Sequence, residues 1–452
     1  MRSWRHSENK HTHHPVHHNG LYRNLPTFDP SIKGLTAIVT GANGISGFHT
    51  MRVLLESPER WSKVYALSRR PPPEKMMALL SESQRARVQH VAVDFLDEPG
   101  KIASAMTAAN LQADYIFFYS YVQPRPPPGA AAWSNAEELV KVNSALLDNF
   151  LAALTLSKIT ARRFLLQTGA KNYGTHVGRA RTPALESDPQ PAHLEPNFYY
   201  AQEKSLFAYC AAQKTSWNVI RPAWIVGAVN NAQMNALHPF AIYAAVQAHK
   251  NEPLQFPADW DAWQFEAHHS TAMLTGYLSE WAVLEDKCKN QAFNSQDTSP
   301  LSWDRFYEEL ARWFGVAKGV QPPDEDLSKY SVIVGKSGKD TPMGYGPPKI
   351  SRRLFSLVDW ARNPTNKTIW ETEIMQPSQG QVSDNPFADP EASFTFGDAA
   401  LASFGSLCMN KARRLGWTGF VDTIESVFQM YQEMAALGML PKMKVDKPRP
   451  LV

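Results

Sequence analysis

The stretch that decides the fold is Leu35-Thr36-Ala37-Ile38-Val39-Thr40 followed by Gly41-Ala42-Asn43-Gly44-Ile45-Ser46-Gly47. The first six residues are a short β-branched run, and residues Ile45 to Leu55 carry apolar side chains at helical spacing. A strand therefore enters a turn with glycines at 41, 44 and 47, and a helix leaves it. Glycine permits the tight turn and lets backbone approach a ligand closely, while the helix N-terminus offers amide donors and positive potential. In that context the turn is a cradle for the pyrophosphate of a dinucleotide, with Gly41, Asn43, Gly44, Ile45 and Gly47 as candidate contacts.

Further apolar runs follow at Lys63–Ser68, Val88–Val93, Ala113–Tyr119, Phe164–Thr168 and Asn218–Pro222, with a late one at Ala292–Asn294. Helical patterns lie between several of them, such as Glu137 to Leu156. Alternating strands and helices predict an α/β fold, a doubly wound parallel sheet of Rossmann type. Ligands in such sheets sit at the carboxyl ends of the strands. The second run ends Ser68-Arg69-Arg70, with no acid to hold both ribose hydroxyls. Guanidinium groups there suit a 2′-phosphate, so the expected cofactor is NADPH/NADP+. Asp94-Phe95 falls where an adenine ring would lie, and Tyr119 and Thr168 end the fourth and fifth runs.

Two more residues carry the chemistry. Tyr200 and Lys204, four apart on a helical stretch, share a face. An ammonium beside a phenol favours the phenolate and makes the tyrosine a better proton shuttle. Lys171, in Gln167-Thr168-Gly169-Ala170-Lys171-Asn172-Tyr173-Gly174 after the fifth run, is the second candidate lysine.

The bulk numbers exclude other classes. The chain has 452 residues, 43% hydrophobic and 20% charged, with net charge +3. That balance gives no reason to expect nucleic acid or an anionic membrane as partner. Cys210, Cys288 and Cys408 are scattered and odd in number, with no metal or disulfide spacing, so a reducing compartment, the cytoplasm, is expected. No apolar run is read as a membrane span. His6, His11, His13, His14, His17 and His18 mark residues 1–30 as a flexible polar tail outside the fold. Residues 31–300 read as the dinucleotide-binding domain with part of the substrate pocket, and 301–452 as a substrate-binding or lid region. Within the latter, Trp303, Phe306, Leu310 and Trp313 share a helical face, whereas 320–350 and 375–392 read as loops or insertions. Trp260, Trp263 and Trp303 are read as core before substrate wall, and His268 and His269 as structural. The partner is a small molecule; the sequence does not set the oligomeric state, and a homodimer is compatible with it.

With these residues in hand, the chain resembles an extended short-chain dehydrogenase/reductase of the progesterone 5β-reductase and iridoid synthase type, with its fungal relatives. The resemblance is carried by Trp61-Ser62-Lys63-Val64-Tyr65-Ala66-Leu67-Ser68-Arg69-Arg70-Pro71, by Thr168 to Tyr173, and by Asn197-Phe198-Tyr199-Tyr200-Ala201-Gln202-Glu203-Lys204. Arg221-Pro222 and Phe293-Asn294 fit as well, so that it spans about residues 34 to 441. It implies reduction of an activated enone by 1,4-addition with NADPH. Tyr200 and Lys171 would be the catalytic couple, Tyr200 stabilising the enolate oxygen. Gly169 stands where ordinary extended members carry Ser or Thr, as in the enone reductases. Lys204 stands where the plant enzymes carry an acid, and Phe118-Tyr119-Ser120-Tyr121 departs from their pocket wall. A carbonyl reductase, a redox-neutral epimerase or isomerase, and a non-catalytic NADP-sensing protein remain the alternatives.

Overall fold

The computed structural model describes residues 15–124, 135–232, 234–402 and 404–448. Seven strands form the central sheet: β1 (Leu35–Thr40), β2 (Trp61–Ser68), β3 (Val88–Ala92), β4 (Tyr115–Phe118), β5 (Arg163–Gln167), β6 (Ser216–Pro222) and β7 (Gln291–Ser295). Their order across the sheet is β7-β6-β5-β4-β1-β2-β3, and every pairing is parallel. The order reverses between β1 and β4, which opens the ligand crevice of a doubly wound sheet above their carboxyl ends.

Both faces of the sheet centre are buried, which is why β1, β4 and β5 read as largely apolar runs. Ala37, Val39, Phe117 and Leu165 point to one core; Ile38, Ile116, Phe118, Phe164 and Leu166 alternate to the other. Helices α1 (Ile45–Leu55), α2 (Ala136–Leu156), α3 (Phe198–Gln213) and α4 (Ala272–Leu284) cover the sheet. Helix α2 is long and apolar enough by itself to cross a membrane, contrary to the sequence reading. Here Leu146, Leu147, Phe150, Leu151 and Leu154 of that helix are buried in the second core.

The C-terminal third extends the first core. Helices α5 (Trp303–Phe314) and α6 (Thr423–Ala436) bring Trp303, Phe306, Leu310, Trp313, Tyr431 and Met434 into it. Trp263 and Trp303 are buried there, while Trp260 is exposed.

Two expectations need correction. His6, His11, His13 and His14 lie outside the described residues, but the tail does not extend to residue 30. Val16–Asn19, with His17 and His18, pairs antiparallel with Tyr22–Pro26. Tyr22 and Leu25 enter the core, and Asn19 donates to the Tyr277 hydroxyl at 2.8 Å. Two buried side chains fix a hairpin too short for a pattern to show. Likewise the 320–350 stretch holds a ribbon, Ser331–Val334 against Ile350–Arg353, whose long connection hides the pairing in the sequence.

Candidate active site

The glycine turn is shaped by contacts that leave no room for side chains. Gly41 has φ +61°, and a Cβ on it would stand 2.9 Å from the Tyr119 carbonyl carbon and oxygen. A Cβ on Gly47 would lie 2.3 Å from the Gly41 carbonyl oxygen, so only glycine lets α1 start this close to the turn. Gly44 caps α1 without a side-chain bond, leaving first-turn amides for a ligand. Asn43 reaches to the end of β2: its Nδ2 donates to the Arg70 carbonyl at 2.8 Å, and Ser68 Oγ donates to the same carbonyl at 2.7 Å. That loop presents Arg69 and Arg70 to solvent, and among the described residues neither forms an ion pair.

At the end of β3, Asp94 is half-buried and one carboxylate oxygen accepts from the Leu96 amide at 3.0 Å. Phe95 is not an adenine platform. Its ring is buried against Phe118 and Phe150, centroids 6.0 and 5.0 Å away, because the chain turns back into the second core there. Tyr119 also turns its hydroxyl inward, accepting from Thr50 Oγ1 at 2.9 Å; burial pushes its phenol up to about 12.

The carboxyl end of β5 faces the turn. Gln167 Nε2 donates to Ser46 Oγ at 2.7 Å, tying β5 to α1. Gln167 Oε1 and Thr168 Oγ1 are buried with no hydrogen-bond partner among the described residues. Buried orphans of this kind are costly unless a ligand completes them. Together with the glycine turn, closed to a Cβ at 41 and 47, and the exposed Arg69 and Arg70, they fit a dinucleotide.

Next comes a 3-10 turn, Ala170–Tyr173, carrying Lys171. Asn197 joins it to α3: its Oδ1 accepts from the Tyr199 amide at 3.0 Å as an N-cap, and its Nδ2 donates to the Lys171 carbonyl at 3.0 Å. Tyr200, in the first turn of α3, donates its hydroxyl to the Asn172 carbonyl at 3.1 Å. The Tyr200 phenol is pushed up to about 12 by burial, with Glu195 and Glu203 acting in the same direction. The expected lowering by a neighbouring ammonium is therefore not seen, because burial outweighs any cation. Lys204 is exposed on α3. Lys171 is half-buried, and burial holds its ammonium well below the usual lysine range against the pull of Glu195. Gly169 is extended, with φ 171°. A Cβ there would meet the Tyr199 hydroxyl at 3.0 Å and the Pro222 carbonyl oxygen at 3.2 Å. Tyr199 thus occupies the room a hydroxyl-bearing side chain at 169 would use.

Residues 37–336 match the PRISE-like Rossmann-fold domain. The chain belongs to the PRISE-like family. It is 27% identical over 419 residues to the short chain dehydrogenase gsfE of Penicillium aethiopicum, covering 90% of this chain and 99% of that one. It is 24% identical over 415 residues to the 3-oxo-Δ(4,5)-steroid 5β-reductase of Arabidopsis thaliana, covering 90% and 93%. The solved structure of gox2253 superposes with a TM-score of 0.53 at 14% identity, over 90% of this chain and 99% of that one, a likeness of fold alone. This PRISE-like chain is accordingly an enzyme of the short-chain dehydrogenase/reductase superfamily with a nicotinamide cofactor.

Beneath the PRISE-like site runs a buried network that sequence reading did not single out. Gln190 Nε2 donates to Asn172 Oδ1 at 2.8 Å and to Glu203 at 2.9 Å. Glu203 takes both its oxygens to Arg221 Nη2, at 2.9 and 3.1 Å. Arg221 donates to the Tyr173 hydroxyl at 3.3 Å, and Tyr173 donates to Asn294 Oδ1 at 2.5 Å. The network braces the Lys171 turn against α3, β6 and β7. Arg221 and Asn294 stood in the sequence only as marks of resemblance. A charged pair shows itself as a brace once both partners are known to be buried.

Proposed function

We propose that the protein is an NADPH-dependent reductase of an α,β-unsaturated carbonyl in a small apolar metabolite, acting by 1,4-reduction. The observation that carries this reading is the Tyr200 hydroxyl held at 3.1 Å on the Asn172 carbonyl, in the turn that also carries the desolvated Lys171, with no hydroxyl side chain at Gly169. NADPH over NADH is supported by Arg69 and Arg70, which follow the end of β2 where no acid stands and carry no carboxylate partner among the described residues.

When bound, the reduced nicotinamide supplies the hydride equivalent that saturates the β-carbon. The residues of this chain manage the oxygen. A phenol of high pKa stays protonated at neutral pH, so Tyr200 acts as a hydrogen-bond donor whose bond strengthens as negative charge builds on the enolate oxygen. The Asn172 carbonyl, which accepts that proton in the described structure, holds the phenol until a substrate oxygen takes its place. Lys171, whose charge burial disfavours, would stabilise the oxygen as negative charge builds on it. The 24% identity to a steroid 5β-reductase supports the same class of chemistry.

The test is consumption of NADPH by the purified full chain with enones and with matched saturated ketones. Turnover is expected with enones alone, giving saturated carbonyls, and Tyr200→Phe and Lys171→Ala are each expected to lower kcat by roughly 10²-fold or more. Turnover of saturated ketones with Tyr200→Phe unimpaired would overturn the proposal.

A further inference from the structure

The segment leaving the carboxyl end of β6 runs from beside Gly169 to the start of α1. At its start the Pro222 carbonyl oxygen lies 3.2 Å from where a Gly169 Cβ would stand. At its end Gly227 abuts α1, since a Cβ there would lie 2.6 Å from Ile45 Cγ2 and 3.0 Å from His49. Trp224 stands between these points, in a left-handed backbone conformation with φ +47°. That conformation is costly for a bulky residue and persists where the surroundings enforce it, commonly at a functional site. Here the Ser270 amide holds the Trp224 carbonyl at 3.2 Å. The indole is turned onto Phe404, centroids 5.3 Å apart at 42°, and Lys349 Nζ lies 6.0 Å from the Phe404 centroid. All three side chains are half-buried, not sealed into the core, and they come from three distant parts of the chain.

We infer that Trp224 and Phe404 are specificity-determining residues, the wall against which the substrate lies, and that this substrate presents a flat, aryl-conjugated enone. The inference rests on the enone-reductase reading and adds the substrate class to it. A half-exposed aromatic pair beside a reacting centre gains from offset stacking with a conjugated ring what a saturated ring of the same size does not supply. The left-handed φ of Trp224 accompanies the packing of its indole on Phe404, and Lys349 borders the pair on the Phe404 side.

The experiment compares benzalacetone with its cyclohexyl analogue, matched in size, on the full chain with NADPH. Wild type is expected to favour the aryl enone in kcat/KM by about three- to tenfold, through KM. Trp224→Leu and Phe404→Leu are each expected to erase that preference while NADPH affinity is unchanged. A preference that survives both substitutions overturns the inference, as does its absence in wild type. A second arm needs no turnover: binding of the saturated product benzylacetone to the NADP+ complex, by calorimetry. If neither enone is reduced, the reductase reading falls. The wall then stands if benzylacetone binds wild type at least threefold tighter than Trp224→Leu, and falls if the two bind alike or wild type does not bind.

Discussion

Gly169→Ala isolates one contact of the site. Residue 169 is extended at φ 171°, a conformation open to any residue, so the substitution introduces no backbone strain. It introduces a Cβ 3.0 Å from the Tyr199 hydroxyl and 3.2 Å from the Pro222 carbonyl oxygen, where ordinary contact begins at 3.4 Å. The hydroxyl must retreat by about 0.4 Å, yet the Tyr199 ring is fixed edge-on against Phe198 at 4.5 Å. Overpacking of this kind costs about 1–3 kcal/mol. Tyr199→Phe removes the nearer of the two clashing atoms, so the double variant should recover about 1 kcal/mol relative to the sum of the single ones. Urea unfolding gives the stabilities, and kcat/KM on an enone shows how much of the cost falls on site geometry. Full stability and activity in Gly169→Ala, or strict additivity in the double variant, would refute the claim that Tyr199 fills the space beside residue 169.

Three further outcomes follow from the same structure. Arg69→Ala with Arg70→Ala should raise the KM for NADPH by about 10- to 100-fold and leave that for NADH nearly unchanged, measured by steady-state kinetics with both cofactors. Gly47→Ala places a Cβ 2.3 Å from the Gly41 carbonyl oxygen, so calorimetry should find cofactor binding weakened at least tenfold even where circular dichroism shows the fold retained. Glu433 is buried, which opposes its charge, but His49 and two bonds from Arg52 at 2.9 and 2.8 Å outweigh that and bring its carboxyl from 4.5 to about 2. A depressed carboxylate stabilises the fold above its unfolded value and loses that stabilisation as pH falls from 4.5 towards 2, a contribution of about 3 kcal/mol at neutral pH. Urea unfolding of Glu433→Gln between those limits should therefore show a flatter pH dependence than wild type.

What the sequence determined by itself was what local pattern can encode. The sheet and the glycine turn were legible because the central strands β1, β4 and β5 are largely apolar runs and the turn between β1 and α1 leaves no room for a Cβ at 41 or 47. Tyr200 and Lys171 stand in motifs that a sequence displays, and the structure places both around the Ala170–Tyr173 turn. The hairpin of Tyr22 and Leu25 was not, since two apolar residues among histidines have no period and only the core they enter gives them meaning. The tertiary structure alone decided the electrostatics and the walls. It buried Tyr200 so that its phenol rises, left Lys204 in solvent, folded Phe95 inward, and joined Glu203 to Arg221. It also brought Trp224, Lys349 and Phe404 together from across 180 positions of sequence. Charge effects depend on burial and on distance in space, and neither is a property of spacing along the chain.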